Sequence, residues 1–311
     1  MDTGSTLDET AHTVTRTVRV AASRDLVFEV LTQPSQIAQW FGQRADFPDG
    51  VHAGAHGTVG WVDHGDFPVR IDRYDAPTAF AFTWGTPGEP IREDNSTTAT
   101  FTLEKDGEET QLTVVESGFD TLGAAAGRRA AMEDNARGWT EELDELVAHV
   151  DGLERGTGLA PIADVESGRI TRSVLVRAPQ QTTWDVLTDP VAIEQWWGHP
   201  ARFPGGLREG AEGTFEWTGH GLMPMRVERF DAPAVLELLW GELGEETPGD
   251  DASLVQFRLS PVGPDRTLVT VVEHGFTHLD DAGRRAAMEE NVTGWTNVLN
   301  ALVTYAERAD A

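Results

Sequence analysis

The 311 residues suffice for two domains of ordinary size, and the apolar content of 39% is that of a globular protein. A formal net charge of -28, with Lys105 as the single lysine, argues against nucleic acid and anionic membranes as partners. The absence of cysteine excludes disulfides and thiolate metal sites, and the lack of a signal peptide or an apolar run of about 20 residues predicts a cytoplasmic protein without membrane insertion.

The first half of the chain changes its periodicity in a definite order. An alternating strand over Val14–Val20 is followed by a helix that Ser23 caps and that ends near Thr32. A second short helix begins at Pro34, because proline ends the first helix and suits the first turn of the next. One long amphipathic helix over residues 122–150 completes the half. Between the short helices and the long helix, five segments alternate like strands: Thr58–His64, Pro68–Tyr74, Phe80–Trp84, Thr97–Leu103 and Gln111–Glu116.

The second half of the chain repeats the first. The matching pairs are LTQPSQIAQWFG at Leu31–Gly42 with LTDPVAIEQWWG at Leu187–Gly198, RYDAP with RFDAP, VVESGF with VVEHGF, and RRAAMEDNARGW at Arg128–Trp139 with RRAAMEENVTGW at Arg284–Trp295. The spacing is far longer than that of a solenoid, so each copy is a whole domain. The sequence therefore predicts domains at residues 12–150 and 169–309, a flexible tail at 1–11 and a linker at 151–168.

The order of the predicted elements defines a fold class. One strand, two short helices, a run of antiparallel strands and one long helix make a two-layer α+β domain. A curved antiparallel sheet wrapped around one long C-terminal helix is the helix-grip arrangement. Because such a sheet has more wall than one helix can cover, we expect each copy to enclose an apolar cavity.

Apolar and aromatic side chains that share the inner face of the predicted strands and helices are the candidates for the cavity wall. Strand alternation and helical spacing assign them. In the first copy they are Trp40, Trp61, Phe82, Trp84, Phe101 and Trp139, and in the second copy Trp196, Trp217, Leu238, Trp240, Phe257 and Trp295. Most of them are expected to be core, and the clusters as a whole are expected to contact a ligand.

Three polar side chains in each copy are predicted to face the same interior or its rim. Glu116 follows Leu112 and Val114 on the last strand, Asn135 lies on the inner stripe of the long helix, and Arg73 alternates with Ile71. The second copy has Glu273, Asn291 and Arg229 at these positions. Since a buried charge is costly without a partner, we expect a Glu116–Arg73 pair. The set has three interpretations: a structural network that fixes helix to sheet, polar anchors for a ligand, or a general acid or base.

Neither a metal nor a cofactor is expected. His52, His56 and His64 lie near acidic residues in the first copy, but the second copy has Arg208, Glu212 and His220 there. A metal site needs a fixed set of at least three ligands, which the repeat does not preserve. No nucleotide-binding or nucleophile motif occurs, so no catalytic residue is assigned.

The ordered motifs LTxPxxIxQWxG, DAP, VVExGF and RRAAMExNxxGW resemble those of the activator of 90-kDa heat-shock-protein ATPase family, in its C-terminal-type (AHSA-type) domain. The resemblance covers nearly all of each half and implies a helix-grip domain of the START-like (SRPBCC) superfamily. That superfamily includes carriers, sensors, cyclases and co-chaperones, so the fold does not identify the ligand. Both halves here are of the cavity type.

The sequence therefore predicts a protein that binds a small, largely apolar molecule as a carrier, sensor or sequestering protein. Two alternatives stay open. One is a co-chaperone that binds a chaperone through its surface. The other is a cyclase- or hydrolase-like enzyme that uses a cavity carboxylate, Glu116 or Glu273.

Overall fold

The chain folds into two compact units, Met1–Glu154 and Arg155–Ala311, each with an eight-stranded antiparallel sheet. A computed structural model describes residues 4–156, 162–217 and 219–310. Each unit adds two short helices and one long C-terminal helix to its sheet. The α+β class and the tandem helix-grip fold are therefore confirmed. No helix in the described ranges combines the length and the hydropathy needed to cross a bilayer.

The elements of the first domain follow the predicted order. Its strands are β1 (Thr6–Asp8), β2 (Thr13–Val20), β3 (Arg44–Asp46), β4 (His56–Trp61), β5 (Gly65–Asp75), β6 (Ala79–Trp84), β7 (Thr97–Asp106) and β8 (Glu109–Ser117). Its helices are α1 (Arg24–Thr32), α2 (Pro34–Ile37) and α3 (Ala125–Glu154), with a 3-10 turn at Phe119–Thr121. The sheet order is β1-β2-β8-β7-β6-β5-β4-β3.

The second domain repeats this topology. Its strands are β9 (Ile162–Asp164), β10 (Arg169–Val176), β11 (Ala201–Arg202), β12 (Glu212–Trp217), β13 (Gly221–Asp231), β14 (Val235–Trp240), β15 (Ser253–Gly263) and β16 (Arg266–His274). Its helices are α4 (Gln180–Thr188), α5 (Pro190–Trp197) and α6 (Asp281–Ala309), with a 3-10 turn at Phe276–His278. The sheet order is β9-β10-β16-β15-β14-β13-β12-β11.

Local signals in the sequence place the short helices. Ser23 Oγ accepts a hydrogen bond from the backbone N–H of Leu26 at 3.3 Å and so caps α1. Pro34 and Pro190 stand in the first turn of α2 and α5, where proline removes no helical hydrogen bond. In each domain the two short helices follow the first long strand of the sheet. Trp40, just after α2, and Trp196, at the end of α5, are buried.

The core of each domain lies between the long helix and the inner face of the sheet. On α3 the buried stripe is Met132, Ala136, Trp139, Leu143, Leu146, Val150 and Leu153. On α6 it is Met288, Trp295, Leu299, Leu302 and Ala306. Burial of such side chains stabilises a fold by about 1.5–3 kcal/mol each, which makes this stripe the principal attachment of the helix.

The sheets are longer at their edges than the sequence predicts. Thr6–Asp8 lies in the predicted flexible tail but pairs with Thr13–Thr15 as an edge strand. Within the predicted linker, α3 continues to Glu154 and Ile162–Asp164 pairs with β10. Residues 1–3 of the tail and 157–161 of the linker lie outside the described residues. These strands have three residues each, too few to show a periodicity, and only the neighbouring strand defines them.

Candidate ligand-binding site

Glu116 is the polar centre of the first domain. It is fully buried on β8, and its carboxylate accepts hydrogen bonds from Trp84 Nε1 at 2.9 Å, Thr97 Oγ1 at 2.5 Å, Asn135 Nδ2 at 2.8 Å and Trp139 Nε1 at 2.6 Å. Burial raises the pKa of Glu116 above its ordinary value, and the four donors oppose that rise. Because the donors lie on β6, β7 and α3, this network fixes the long helix to the sheet.

Glu273 holds the same place in the second domain with fewer partners. Its carboxylate accepts from Asn291 Nδ2 at 3.0 Å and from Trp295 Nε1 at 2.7 Å. Trp240, the counterpart of Trp84, has its Nε1 buried without a hydrogen-bond partner among the described residues. Burial raises the pKa of Glu273 to about 7, with only two hydrogen bonds to oppose it. In the second domain, therefore, the central carboxyl accepts fewer hydrogen bonds than Glu116 does, and the N–H of Trp240 donates none among the described residues.

Aromatic rings fill the interior of the first domain. Phe41 stacks on Trp139 with centroids 5.4 Å apart, and Phe101 meets the same indole edge-on at 5.6 Å. Phe82 lies 5.7 Å from Phe41 and 5.9 Å from Phe101. The space left among these rings and Trp40 has a volume of only about 10 Å³. That is about enough for one water molecule, so the interior of the first domain is packed at this place.

A hydrogen bond between Trp61 and Glu142 joins the sheet to the long helix beside this core. Trp61 Nε1 donates to Glu142 Oε1 on α3 at 3.1 Å. Burial raises the pKa of Glu142 to about 7, although the Trp61 bond opposes the rise. Trp61 also meets Phe41 edge-on at 4.9 Å, so the indole is held on two sides. The bond joins β4 to the long helix across the mouth of the domain.

The second domain has a pocket at the corresponding place. It has a volume of about 70 Å³ and is lined by Trp197, Trp217, Trp240, Glu273, Asn291, Gly294, Trp295 and Val298. Gly294 is exposed on α6, so the pocket reaches the surface beside the helix. Glu273 and Asn291 provide its polar groups, and the other side chains are apolar or aromatic. Five of the residues predicted from sequence meet here: Trp217, Trp240, Glu273, Asn291 and Trp295.

Substitutions between the copies account for the different packing around the two indoles Trp61 and Trp217 in the described part of the chain. Val298 stands where the first domain has Glu142, and a valine has no group to bond the facing indole. Trp217 instead stacks on His199, with centroids 4.7 Å apart and planes at 22°. The ring of Phe67, which packs on Trp61 and Trp84, has Met223 as its counterpart. The second domain has no ring in place of Phe67, and its other rings are arranged differently, so the space of the pocket remains unfilled.

A wider groove of about 260 Å³ lies at the surface of the first domain. Its wall includes Phe67, Trp84 and Leu122, and its rim is the loops around residues 85–87 and 95–97. The polar groups of the rim already have partners: Asn95 Oδ1 accepts from the backbone N–H of Arg92 at 2.7 Å, and Thr97 donates to Glu116. The groove therefore offers less unused hydrogen-bonding capacity than the second-domain pocket.

The predicted inward position of Arg73 and Arg229 is wrong. Their side chains are 53% and 50% exposed, and each Nε donates at 2.6 Å to a surface carboxylate, Asp75 or Asp231. The Glu116–Arg73 pair does not form. The cause is a β-bulge: β5 advances from Ile71 to Arg73 while its partner β6 advances by one residue, and β13 does the same before Arg229. A bulge reverses the alternation of faces beyond it.

The remaining predicted residues belong to the packed interior. Trp40 Nε1 donates to the backbone carbonyl of Val30 at 3.1 Å, and Trp196 Nε1 donates to that of Val186 at 3.0 Å. Leu238 and Phe257 are buried in the second-domain core, as Phe82 and Phe101 are in the first. Within the described ranges no group of three His, Asp or Glu side chains is arranged to hold a metal ion.

Three lining residues were missed from the sequence: Trp197, Gly294 and Val298. Trp197 follows Trp196, and the QWF to QWW change between the copies was its signal. Val298 has a clearer signal, because the repeat aligns it with Glu142 on an otherwise shared apolar stripe. Gly294 has no side chain, so no periodicity reveals it.

Comparison with known protein families adds a match in each half of the chain. The family described as "Activator of Hsp90 ATPase homolog 1-like protein" matches residues 21–151 and 177–307. Each matched range begins in the loop before the first short helix and ends in the long helix. No protein of curated function matches the sequence.

Several solved structures are similar to this one. DynU16, a protein of the dynemicin biosynthetic locus, is 21% identical over 96% of this chain and 99% of its own, with a TM-score of 0.37. The di-domain ARO/CYC BexL of the BE-7585A biosynthetic pathway is 12% identical over 96% and 98%, with a TM-score of 0.40. MLL2253 from Mesorhizobium loti is 24% identical over 45% of this chain and 99% of its own, with a TM-score of 0.38.

Proposed function

The chain belongs to the family of activator of Hsp90 ATPase homolog 1-like proteins, with two tandem copies of its domain, and from this premise we propose that it binds a small, largely apolar molecule in its second domain. The observation that carries the proposal is the pocket of about 70 Å³ among Trp197, Trp217, Trp240 and Val298. Binding without chemistry suits a carrier, a sensor or a sequestering protein.

The composition of the pocket supports a ligand rather than a packing defect. Small-molecule sites are concave and apolar, with a few polar groups that orient the ligand. Here Glu273 and Asn291 supply those groups at the buried end, and Gly294 leaves a way in from the surface. The apolar wall favours a small apolar body, and since an enclosed cavity that binds benzene has about 150 Å³, a ring would lie only partly inside the 70 Å³ of this pocket and extend through its open side.

The first domain supports the proposal by contrast. There Trp61 is bonded to Glu142 and packs on Phe41, and the carboxylate of Glu116 already accepts four hydrogen bonds. We therefore assign ligand binding to the second domain.

Calorimetric unfolding against a panel of small aromatic, alicyclic and polyketide-like compounds tests the proposal. A compound at about 100 times its dissociation constant stabilises the domain that binds it by roughly 2.7 kcal/mol, which raises its transition by several degrees. The blocking variant is Gly294→Leu, which places a side chain in the pocket wall. Its matched control is Gly138→Leu, at the same position of α3; a Cβ at either glycine meets no atom within 4 Å.

The expected result is a shift in the parent and in Gly138→Leu that Gly294→Leu abolishes. A panel without any active compound would refute the proposal, and so would a shift that survives in Gly294→Leu. In the first case stimulation of a chaperone ATPase becomes the next assay.

One observation favours a second function, that of an enzyme. The pKa of Glu273, raised to about 7 by burial, suits a general acid or base near neutral pH, and the carboxyl lines a pocket. A hydrolase or cyclase of this kind would turn over ester or polyketide-like substrates with a bell-shaped pH profile. Loss of about 100-fold in rate in Glu273→Gln would support it, and an unchanged rate would exclude this residue.

A further inference from the structure

The two carboxylate centres differ by two hydrogen bonds. Glu116 accepts from a hydroxyl, Thr97 Oγ1, and from an indole, Trp84 Nε1, in addition to the bonds from α3. Glu273 keeps only the bonds from α6. Ser253, which faces Trp240 across β14 and β15 as Thr97 faces Trp84 across β6 and β7, makes no hydrogen bond to Glu273 in the described part of the chain.

Without these two bonds, complementary groups remain on two residues that both line the pocket. Trp240 Nε1 is a donor only, and it is buried without a partner within the described ranges. Each oxygen of Glu273 accepts one bond and has capacity for another. A buried donor without an acceptor is costly, so a ligand group that satisfies both residues gains affinity from each.

A hydroxyl is the smallest group that satisfies both residues at once. It accepts one hydrogen bond through its oxygen and donates one through its proton. To an ionised Glu273 an ether or a ketone donates nothing, although it accepts from the indole, and an ammonium group has no lone pair for the indole. In the first domain the hydroxyl beside the carboxylate is the protein's own, on Thr97.

We propose that the ligand of the second-domain pocket carries a hydroxyl group on an aromatic or alicyclic body, and that this hydroxyl binds between Trp240 Nε1 and Glu273. The body lies among Trp197, Trp217, Trp295 and Val298, which are the apolar wall. This inference rests on the proposed function and adds the chemical class of the ligand.

Titration calorimetry with phenol, anisole and toluene tests the inference, because the three probes share a ring and differ in the polar group. Phenol accepts and donates, anisole only accepts, and toluene does neither. We expect phenol to bind the parent protein roughly tenfold or more tightly than toluene, with anisole between them. In Trp240→Phe the preference for phenol over toluene should fall by roughly tenfold, while toluene binding persists.

Ser253→Thr is a second variant that does not depend on the folding of Trp240→Phe. It adds a methyl group beside the hydroxyl that Ser253 already carries, and this methyl group restricts χ1, so the side chain becomes the one that donates to the carboxylate in the first domain. We expect it to weaken phenol and leave toluene unchanged. Equal affinities of phenol and toluene in the parent would overturn the inference but keep the proposed pocket. Failure of all three probes, together with the wider panel, would overturn the proposed function itself.

Discussion

Trp61 donates a hydrogen bond of 3.1 Å to Glu142 across the mouth of the first domain, and the chain has Trp217 and Val298 at the same two positions of the second. One acceptor on the long helix therefore decides whether this indole is bonded to the helix, as Trp61 is, or stacks elsewhere, as Trp217 does on His199. The neighbouring stripe is otherwise shared, since Trp139 and Trp295 are both buried and both donate to the central carboxylate.

Exchange of the side chains at positions 142 and 298 should exchange the packing of the two domains at this place. In Val298→Glu the new carboxylate is expected to accept from Trp217 Nε1, to occupy the pocket and to weaken toluene or phenol at least tenfold. Titration calorimetry measures the affinity. Glu142→Val is the reciprocal change; it should create a weak second binding event in the first domain. Unaltered affinity in Val298→Glu would show that the pocket is not where these probes bind.

Glu273 should make the second domain less stable as the pH rises toward 7. Its pKa is about 7 in the folded domain and 4.5 ordinarily, so the folded state holds a proton that the unfolded chain releases between these values. The stabilising contribution is complete below pH 4.5 and is lost as the pH rises through about 7, roughly 3 kcal/mol in all at 1.36 kcal/mol per unit.

Calorimetric unfolding of the parent and of Glu273→Gln from pH 4 to pH 8 measures this effect. The Gln side chain does not titrate, so the difference in stability between the two proteins should move in favour of the variant as the pH rises. A difference that stays constant across the range would show that the carboxyl titrates at its ordinary pKa in the folded domain.

Trp196 should contribute to stability and not to binding. Its indole N–H donates to the backbone carbonyl of Val186 at 3.0 Å, and the ring is not part of the pocket wall. We expect Trp196→Phe to lower the free energy of unfolding by about 1–3 kcal/mol, because the carbonyl loses its donor and the smaller ring leaves space. Denaturant unfolding measures the loss. A tenfold loss of phenol affinity in a folded Trp196→Phe protein would contradict this assignment.

Arg229 is expected to contribute little to the stability of the protein and little to ligand binding. Its guanidinium is half exposed and pairs with Asp231 at the surface, where such pairs contribute about 0–1 kcal/mol. Arg229→Ala should therefore change the free energy of unfolding by less than about 1 kcal/mol and leave phenol binding as in the parent. Arg73→Ala is the matched change in the first domain. A strong loss of binding in Arg229→Ala alone would restore the arginine as a ligand anchor.

Much of the fold can be predicted from the hydrophobic periodicity of the sequence and from its internal repeat, and the elements that cannot be predicted have physical causes. The long helices and the twelve principal strands of the two copies are visible because each spans several periods of alternating burial, as β8 does with Leu112, Val114 and Glu116 inside. The three-residue strands at Thr6–Asp8 and Ile162–Asp164 are not visible, because a partner strand rather than their own pattern defines them.

The candidate site was predictable where a side chain stands on a regular element. Glu116, Glu273, Asn135 and Asn291 face the interior as strand and helix spacing predict. The arginine positions failed because a single extra residue in β5 or β13 reverses every face after it, and no residue type announces such a bulge. The difference in cavity volume was also beyond the sequence, since it depends on how several rings pack together.

The β-bulge in β5 and β13 also bears on the common origin of the two copies. It occurs at the same place in β5 and β13, together with the same carboxylate, amide and indole centre, so a single ancestral domain most simply had all of these before the gene duplicated. The Glu142–Val298 difference lies outside this shared set. It marks a position at which two domains with one fold and one carboxylate centre became chemically distinct.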